Sequence, residues 1–172
     1  LYKTGDRVRV GYIHLHNYLI ERSTIHMEAT VQFVDNDNEM VTVTPRNYAF
    51  KFRKMGEMNS HYAMIGMAYV VDDYPLYYDA TNEKGLSIAG LNFPGNADYK
   101  PYCDEQDNVT PFELIPWILG QCETVTDAKR LIDKINILDE NFSNELPLSP
   151  LHWIISDKEH SITLESVKSG IK

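Results

Sequence analysis

A layered α+β fold is what the sequence predicts, and three observations carry that reading. Short stretches of strand character recur between Met40 and Leu91, two adjacent helix patterns fill 110–135, and a strand pair closes the chain at 151–167. Two amphipathic helices laid on one face of a sheet bury their apolar sides against it, the arrangement of an α+β or αββα layering.

The elements follow in order. Val8, Val10 and Tyr12 alternate with Arg7, Arg9 and Gly11, the pattern of a half-buried strand. Thr30–Val34 and Met40–Thr44 flank the polar run Asp35–Asn38 and read as a hairpin. His14 and His16 share one face of a strand, but a zinc site needs a third ligand, and none has convincing spacing. Asp35 and Asp37 lack the glycine and closing glutamate of a calcium loop and read as a solvated turn. No metal and no cofactor are predicted.

Past Pro45, Phe50 and Phe52 alternate with Lys51, Arg53 and Lys54, as in a half-exposed strand or extended loop, and Met55–Ser60 is a turn-rich connection. Ala63–Val71 is nearly all apolar, as expected of a central strand buried on both faces. Asp72–Pro75 turns the chain and Leu76–Tyr78 returns it. Asn82–Gly85 is turn chemistry, with Gly85 suited to positive φ. Leu86–Leu91 follows as a short strand, small at Ala89 and Gly90, and Asn92-Phe93-Pro94-Gly95 stops it. Asn92 therefore stands at a strand end, either as a turn residue or as an amide offered to a ligand.

Asn96–Val109 reads as a loop. Its Cys103 is followed by Asp104 and Glu105, whose charge opposes a thiolate, so a nucleophilic role is not predicted. Thr110, Pro111 and Glu113 announce a helix with a capping box, and Leu114, Ile115, Ile118, Leu119 and Cys122 form its apolar face. Pro116 predicts a kink there. Thr124 and Asp127 start a second helix with Val125, Ala128, Leu131, Ile132 and Ile135 as its buried stripe. Asn136–Pro150 reads as a long loop. Leu151–Ser156 and Ser161–Val167 pair around Asp157–His160, with Trp153 in the core.

Composition narrows the function classes. An apolar fraction of 43% and a charged fraction of 24% are those of a globular domain, and 172 residues suffice for one core. The net charge of −9 argues against nucleic acid and anionic membrane surfaces as partners. No run reaches the length of a membrane span, and the first residues show no secretory apolar region. The two cysteines, Cys103 and Cys122, make no disulfide framework, which points to a reducing, cytoplasmic setting.

Four segments then carry a family likeness: VTVTPRNYAFKF, HYAMIGMAYVVDDYPLYYDATNEKGLSIAGLNFPG, NVTPFELIPWILGQC and ELPLSPLHWIISD. In this order they resemble the choloylglycine hydrolase family, which includes bile salt hydrolases and penicillin V acylases, from about Asn38 to Lys172. The resemblance implies an α+β, four-layer αββα sandwich of the N-terminal-nucleophile hydrolase type, present in part. It also implies hydrolysis of a linear amide (C–N) bond by an N-terminal cysteine, without cofactor, in a homo-oligomer. Asn92 matches the asparagine of the family's oxyanion hole. Penicillin V acylases tend to carry tyrosine there, so Asn92 favours glycine- or taurine-conjugated bile salts as substrate over a penicillin V range. The loop after the second helix would border the pocket, making Ile137, Leu138 and Phe142 candidate substrate contacts; ordinary anchoring of the loop is the other reading.

Residues 1–37 do not match and hold no cysteine, so they are expected to be a divergent segment, from a shifted reading frame or a recombination, ahead of a partial hydrolase domain at 38–172. The family's later asparagine and arginine would lie past Lys172. On these grounds the chain as written is expected to be inactive, with uncovered sheet edges. A binding or scaffold protein for amphipathic ligands is the alternative.

Overall fold

The computed structural model describes residues 39–172. The readings at 7–12 and 30–34, the His14/His16 pair and the Asp35–Asp37 turn lie outside the described residues. The strands are β1 (Glu39–Thr44), β2 (Phe50–Phe52), β3 (Gly56–Met58), β4 (Met64–Val71), β5 (Tyr74–Asn82), β6 (Ser87–Asn92) and β7 (Asp107–Val109). Then come α1 (Leu114–Gln121), α2 (Val125–Ile132), β8 (Ile135–Ile137), β9 (Leu151–Ser156), β10 (Ser161–Leu164), β11 (Ser166–Val167) and β12 (Gly170–Ile171). A six-stranded antiparallel sheet in the order β1-β4-β5-β6-β9-β10 forms the body. Three two-stranded ribbons, β2-β3, β7-β8 and β11-β12, surround it.

One face of the sheet carries the core. Met64, Ala68, Tyr77, Ala80, Ile88, Trp153, Ile155 and Leu164 are buried there with Leu114, Ile115, Ile118 and Leu119 of α1, which packs on β5 and β6. The other face is open among the described residues. Val43, Ile65, Leu91 and Ile154 are 65%, 50%, 40% and 39% exposed. This corrects the expectation that β4 is buried on both faces: it lies between β1 and β5, yet Ile65 faces outward uncovered. An apolar run reports what a strand tolerates, not what covers it.

Close approach fixes one sheet position. A Cβ on Gly66 would fall 1.9 Å from the Asp79 carbonyl oxygen and 2.6 Å from the Ala80 Cα, beside the register shift at Met67/Ala68. Only glycine fits there.

Several local expectations are corrected. Met55–Ser60 is not merely a turn, because Gly56–Met58 folds back on Phe50–Phe52 as a hairpin. The end of the 96–109 loop is β7, which pairs in parallel with β8, so Ile135 belongs to a strand and not to the stripe of a helix that ends at Ile132, and Asn136 and Ile137 continue that strand and do not begin a loop. Ser161–Val167 breaks at Glu165, and β11 turns to pair with β12. Helix α1 begins at Leu114 with Glu113 at its N-cap and no side-chain cap bond, so Thr110 does not cap it, Pro111 lies ahead of its first turn, and Pro116 does not kink it. Pro116 stands in the first turn, where its missing N–H would have had no intrahelical partner, and the first helical bond runs from the Trp117 N–H to the Glu113 carbonyl (2.9 Å). At α2 the capping box forms as expected, with the Asp127 N–H donating to Thr124 Oγ1 and the Thr124 N–H to the Asp127 carboxylate.

Candidate functional site

The site is built from the turn before β6 and the loop after it. At the turn, Gly85 has φ +90°, and the Asn82 side chain is buried with all of its bonding capacity used. Its Nδ2 donates to the carbonyls of Leu119 and Cys122, both at 2.8 Å, and its Oδ1 accepts from the N–H groups of Lys84 and Leu86, both at 3.1 Å. One amide thus ties the β5–β6 turn to the end of α1. Register along β6 follows from that anchor, and Asn92 pairs with Leu151 of β9 at the far end.

Asn92 is exposed, and its amide makes no hydrogen bond to the described residues. The backbone beneath it is held firmly. The Phe93 N–H donates to the Pro150 carbonyl at 2.7 Å, and the Phe93 ring stacks on His152, centroids 4.7 Å apart and 12° from parallel. The Ala97 N–H closes the following turn on the Phe93 carbonyl (3.2 Å). Beyond that turn opens a cleft of about 380 Å³ lined by Ala97, Asp98, Tyr99, Asp139, Leu148 and Pro150. Tyr99 braces it, its hydroxyl donating to the Ser149 carbonyl (2.8 Å) and accepting from the Leu151 N–H (2.9 Å).

Of the other candidates, Ile137 and Leu138 are buried, Ile137 in β8 and Leu138 bonded through its N–H to the Val109 carbonyl. Phe142 is half-buried in an aromatic group, edge-on to Phe112 (centroids 5.1 Å) and tilted against Tyr74 (6.0 Å). Phe142 shares the 139–150 segment with Pro150 beside Phe93; Ile137 and Leu138 face the core.

Among the described residues no base is hydrogen-bonded to the thiol of either cysteine, Cys103 or Cys122. Cys122 is buried on the apolar face of α1, and burial pushes its thiol up to about 12. The backbone of Cys103 is held by the side chain of Asn108, which accepts from its N–H (2.9 Å) and donates to its carbonyl (2.7 Å). Asn136 completes this network by donating to Asn108 Oδ1 and the Pro101 carbonyl. Among the described residues no three His, Cys, Asp or Glu side chains converge on a metal position. No helix among them is long and apolar enough to cross a membrane.

Sequence reasoning missed the reach of Arg53 and Glu113. Glu113 is buried, and its carboxylate accepts from the Thr110 N–H (3.1 Å), the local half of the expected box, and from the Arg53 N–H (2.6 Å), sixty positions away. Desolvation pushes its carboxyl above the ordinary value, partly offset by those bonds. The Thr110–Glu113 spacing was visible; the partner from the β2–β3 hairpin was not.

With this geometry in view, the sequence profile of linear amide C–N hydrolases, choloylglycine hydrolase family, matches residues 22–172. The chain belongs to that family. A bile salt hydrolase/transferase of Lactiplantibacillus plantarum is 59% identical over 135 residues, covering 78% of this chain and 42% of that protein. One from Clostridium perfringens is 35% identical over 137 residues, with 78% and 42% covered. The choloylglycine hydrolase fold is also evident in solved structures. A variant of the conjugated bile acid hydrolase from Clostridium perfringens superposes with a TM-score of 0.73 at 33% identity, over 80% of this chain and 43% of that one. Penicillin V acylase from Agrobacterium tumefaciens shares the fold at a TM-score of 0.62 and 18% identity, over 78% and 40% of the two chains. The chain spans less than half the length of the curated relatives it matches. As a choloylglycine hydrolase family member, it carries its sheet, both helices and Asn92 within the matched residues.

Proposed function

We propose that this chain supplies the oxyanion-side strand and one pocket wall of a linear amide hydrolase that cleaves conjugated bile salts into a free bile acid and glycine or taurine. The observation that carries this reading is Asn92: exposed at a strand end, fixed through its backbone, with an amide not engaged by the described residues. An amide N–H held in that way donates to the oxygen of a tetrahedral intermediate as negative charge develops on it. In this chemistry a cysteine thiolate attacks the amide carbonyl and the α-amino group of the same residue serves as base. Names of the relatives, two of them bile salt hydrolase/transferases, support the substrate class. The Phe142 segment is the proposed apolar wall, with Ile137 and Leu138 behind it. Under this reading the protein is cytoplasmic and homo-oligomeric.

A second reading is favoured by the state of the two cysteines. With Cys122 buried and the backbone of Cys103 tied to Asn108, the chain tested alone is expected to bind a conjugated bile salt without turning it over. Two measurements test the pair. Titration of the purified chain with glycocholate should show saturable binding. Replacing the matching segment of the Lactiplantibacillus plantarum relative with residues 39–172 should leave release of glycine or taurine intact. No binding together with an inactive exchange would defeat the substrate reading.

A further inference from the structure

One side chain away from the Asn92 strand end holds the 139–150 wall near its far end, at Glu140 and Phe142. The Arg53 guanidinium lies between two rings, 5.3 Å from the Phe112 centroid and 5.6 Å from that of Phe142. It also pairs with Glu140 at 3.2 Å and donates to the Phe142 carbonyl. Its backbone is fixed in turn, because the Arg53 N–H donates to the buried Glu113 carboxylate. A delocalised cation held over two rings while it bonds a carboxylate and a carbonyl is a fit that the compact ammonium of lysine cannot reproduce. Lys54 reaches Glu140 as well (3.2 Å), but among the described residues no ring contact accompanies it. At its other end the segment is held to the strand of Asn92 by the Phe93–Pro150 bond and by Tyr99.

We infer that Arg53 is a positioning residue, a clamp that sets the conformation of residues 139–150 beside Asn92 and thereby the affinity for the steroid part of the ligand. The ligand half of this statement rests on the proposed substrate site; the clamp itself does not. The segment has no strand or helix of its own. Its order comes from short internal bonds (Ser143 N–H to the Leu146 carbonyl, Leu148 N–H to Asn141 Oδ1), from the Asp139 N–H bond to the Lys100 carbonyl (2.9 Å), and from the Arg53 and Pro150 attachments. Removing one attachment should therefore loosen the segment without loosening the sheet.

Hydrogen exchange on the full chain, read peptide by peptide, tests this with Arg53→Ala, Arg53→Lys and Lys54→Ala. Arg53→Ala should speed exchange at 139–150 about tenfold while β9 and β10 stay at the wild-type rate. Arg53→Lys, which keeps only the Glu140 pair, should fall between, and Lys54→Ala should match wild type. Unchanged exchange at 139–150 in Arg53→Ala, or an equal rise across the sheet, overturns the clamp. Should Arg53→Ala fail to fold, Phe142→Ala removes one ring of the stack and must loosen the same segment. Glycocholate affinity, measured in parallel, should drop about tenfold in Arg53→Ala. A loosened segment with unchanged affinity overturns the positioning role. Absence of binding in wild type overturns the substrate reading instead, and exchange still decides the clamp.

Discussion

Asn82 ends β5 at the turn into β6 and Asn92 ends β6, and the chain treats the two asparagines in opposite ways. Asn82, at the turn before the strand, is buried and makes four hydrogen bonds that join the turn to the end of α1. Asn92, at the other end, is exposed and bonds none of the described residues. The same side chain is a fastener where its partners are backbone groups that would otherwise be orphaned, and a free donor where the backbone is already satisfied. The first kind of amide costs stability when removed and the second costs function. Each substitution below is chosen to break that division or to sharpen it.

Asn92→Ala should have the largest effect, and none of it on stability. In the exchanged relative carrying residues 39–172, kcat for glycocholate should fall on the order of 10²–10³, with KM and the thermal midpoint nearly unchanged. A midpoint that drops with the activity would make Asn92 a structural residue like Asn82. Asn82→Ala should do the reverse. It leaves the carbonyls of Leu119 and Cys122 and the N–H groups of Lys84 and Leu86 without their partner in a buried place, at about 2–4 kcal/mol. Urea unfolding of the full chain measures it. A cost near zero would mean that water replaces the amide and that the two ends differ less than their burial suggests.

How much of this was legible beforehand differs between the two asparagines. The turn at Asn82–Gly85 was readable because its signal is local: asparagine and glycine at set positions, confirmed by φ +90° at Gly85. That the Asn82 amide also reaches α1 was not, since its carbonyl partners lie 37 and 40 residues away. The end of β6 was readable from Pro94 and Gly95, and the oxyanion role of Asn92 came from family likeness alone. Elsewhere the same rule holds. The α2 capping box lies within four residues and was foreseen, whereas the parallel pairing of β7 with β8 spans 28 residues, and its strands were taken for loop and, at Ile135, for the end of a helix. Pro116 misled because its effect depends on where the helix begins, which Glu113 decides through contacts with both Thr110 and Arg53. The open outer face was hidden too, because Ile65 and Ile154 look in sequence like any buried strand residue.

Glu113 extends the comparison to the opposite end of α1. There the fastener is a carboxylate, and unlike the Asn82 amide it carries a titratable charge into the core. Desolvation raises its folded-state value above the ordinary 4.5. For an acid raised on folding, the stabilising contribution is complete below about 4.5 and is lost as pH rises through the folded value. Surface carboxylates such as Asp127 and Asp157, held below their ordinary value by hydrogen bonds, act in the opposite sense at lower pH. The difference between wild type and Glu113→Gln isolates the buried group. Urea midpoints taken from pH 4 to 7 should fall more steeply in wild type than in the variant. Parallel profiles would mean that Glu113 titrates as it does in the unfolded chain.

The smallest effect is expected just past the fastened end, where α2 begins three residues after Cys122. Its first turn is satisfied twice over. Thr124 Oγ1 accepts from the Asp127 N–H at 3.2 Å, and the Asp157 carboxylate of the β9–β10 turn accepts from the Val125 N–H at 2.7 Å. Thr124→Ala removes only the first of these, and the second keeps the helix start docked on the sheet. A loss of about 1 kcal/mol, the usual value for a single cap, is expected in urea unfolding. If the two caps share their work, Thr124→Ala combined with Asp157→Ala will cost more than the sum of the single substitutions, because only the double variant leaves the N–H groups of Val125 and Asp127 both without their side-chain acceptors. Additive costs would instead show that each bond holds its own N–H independently. The fastened end of β6 would then be a set of separate local ties, with Asn82 the one that reaches across the fold.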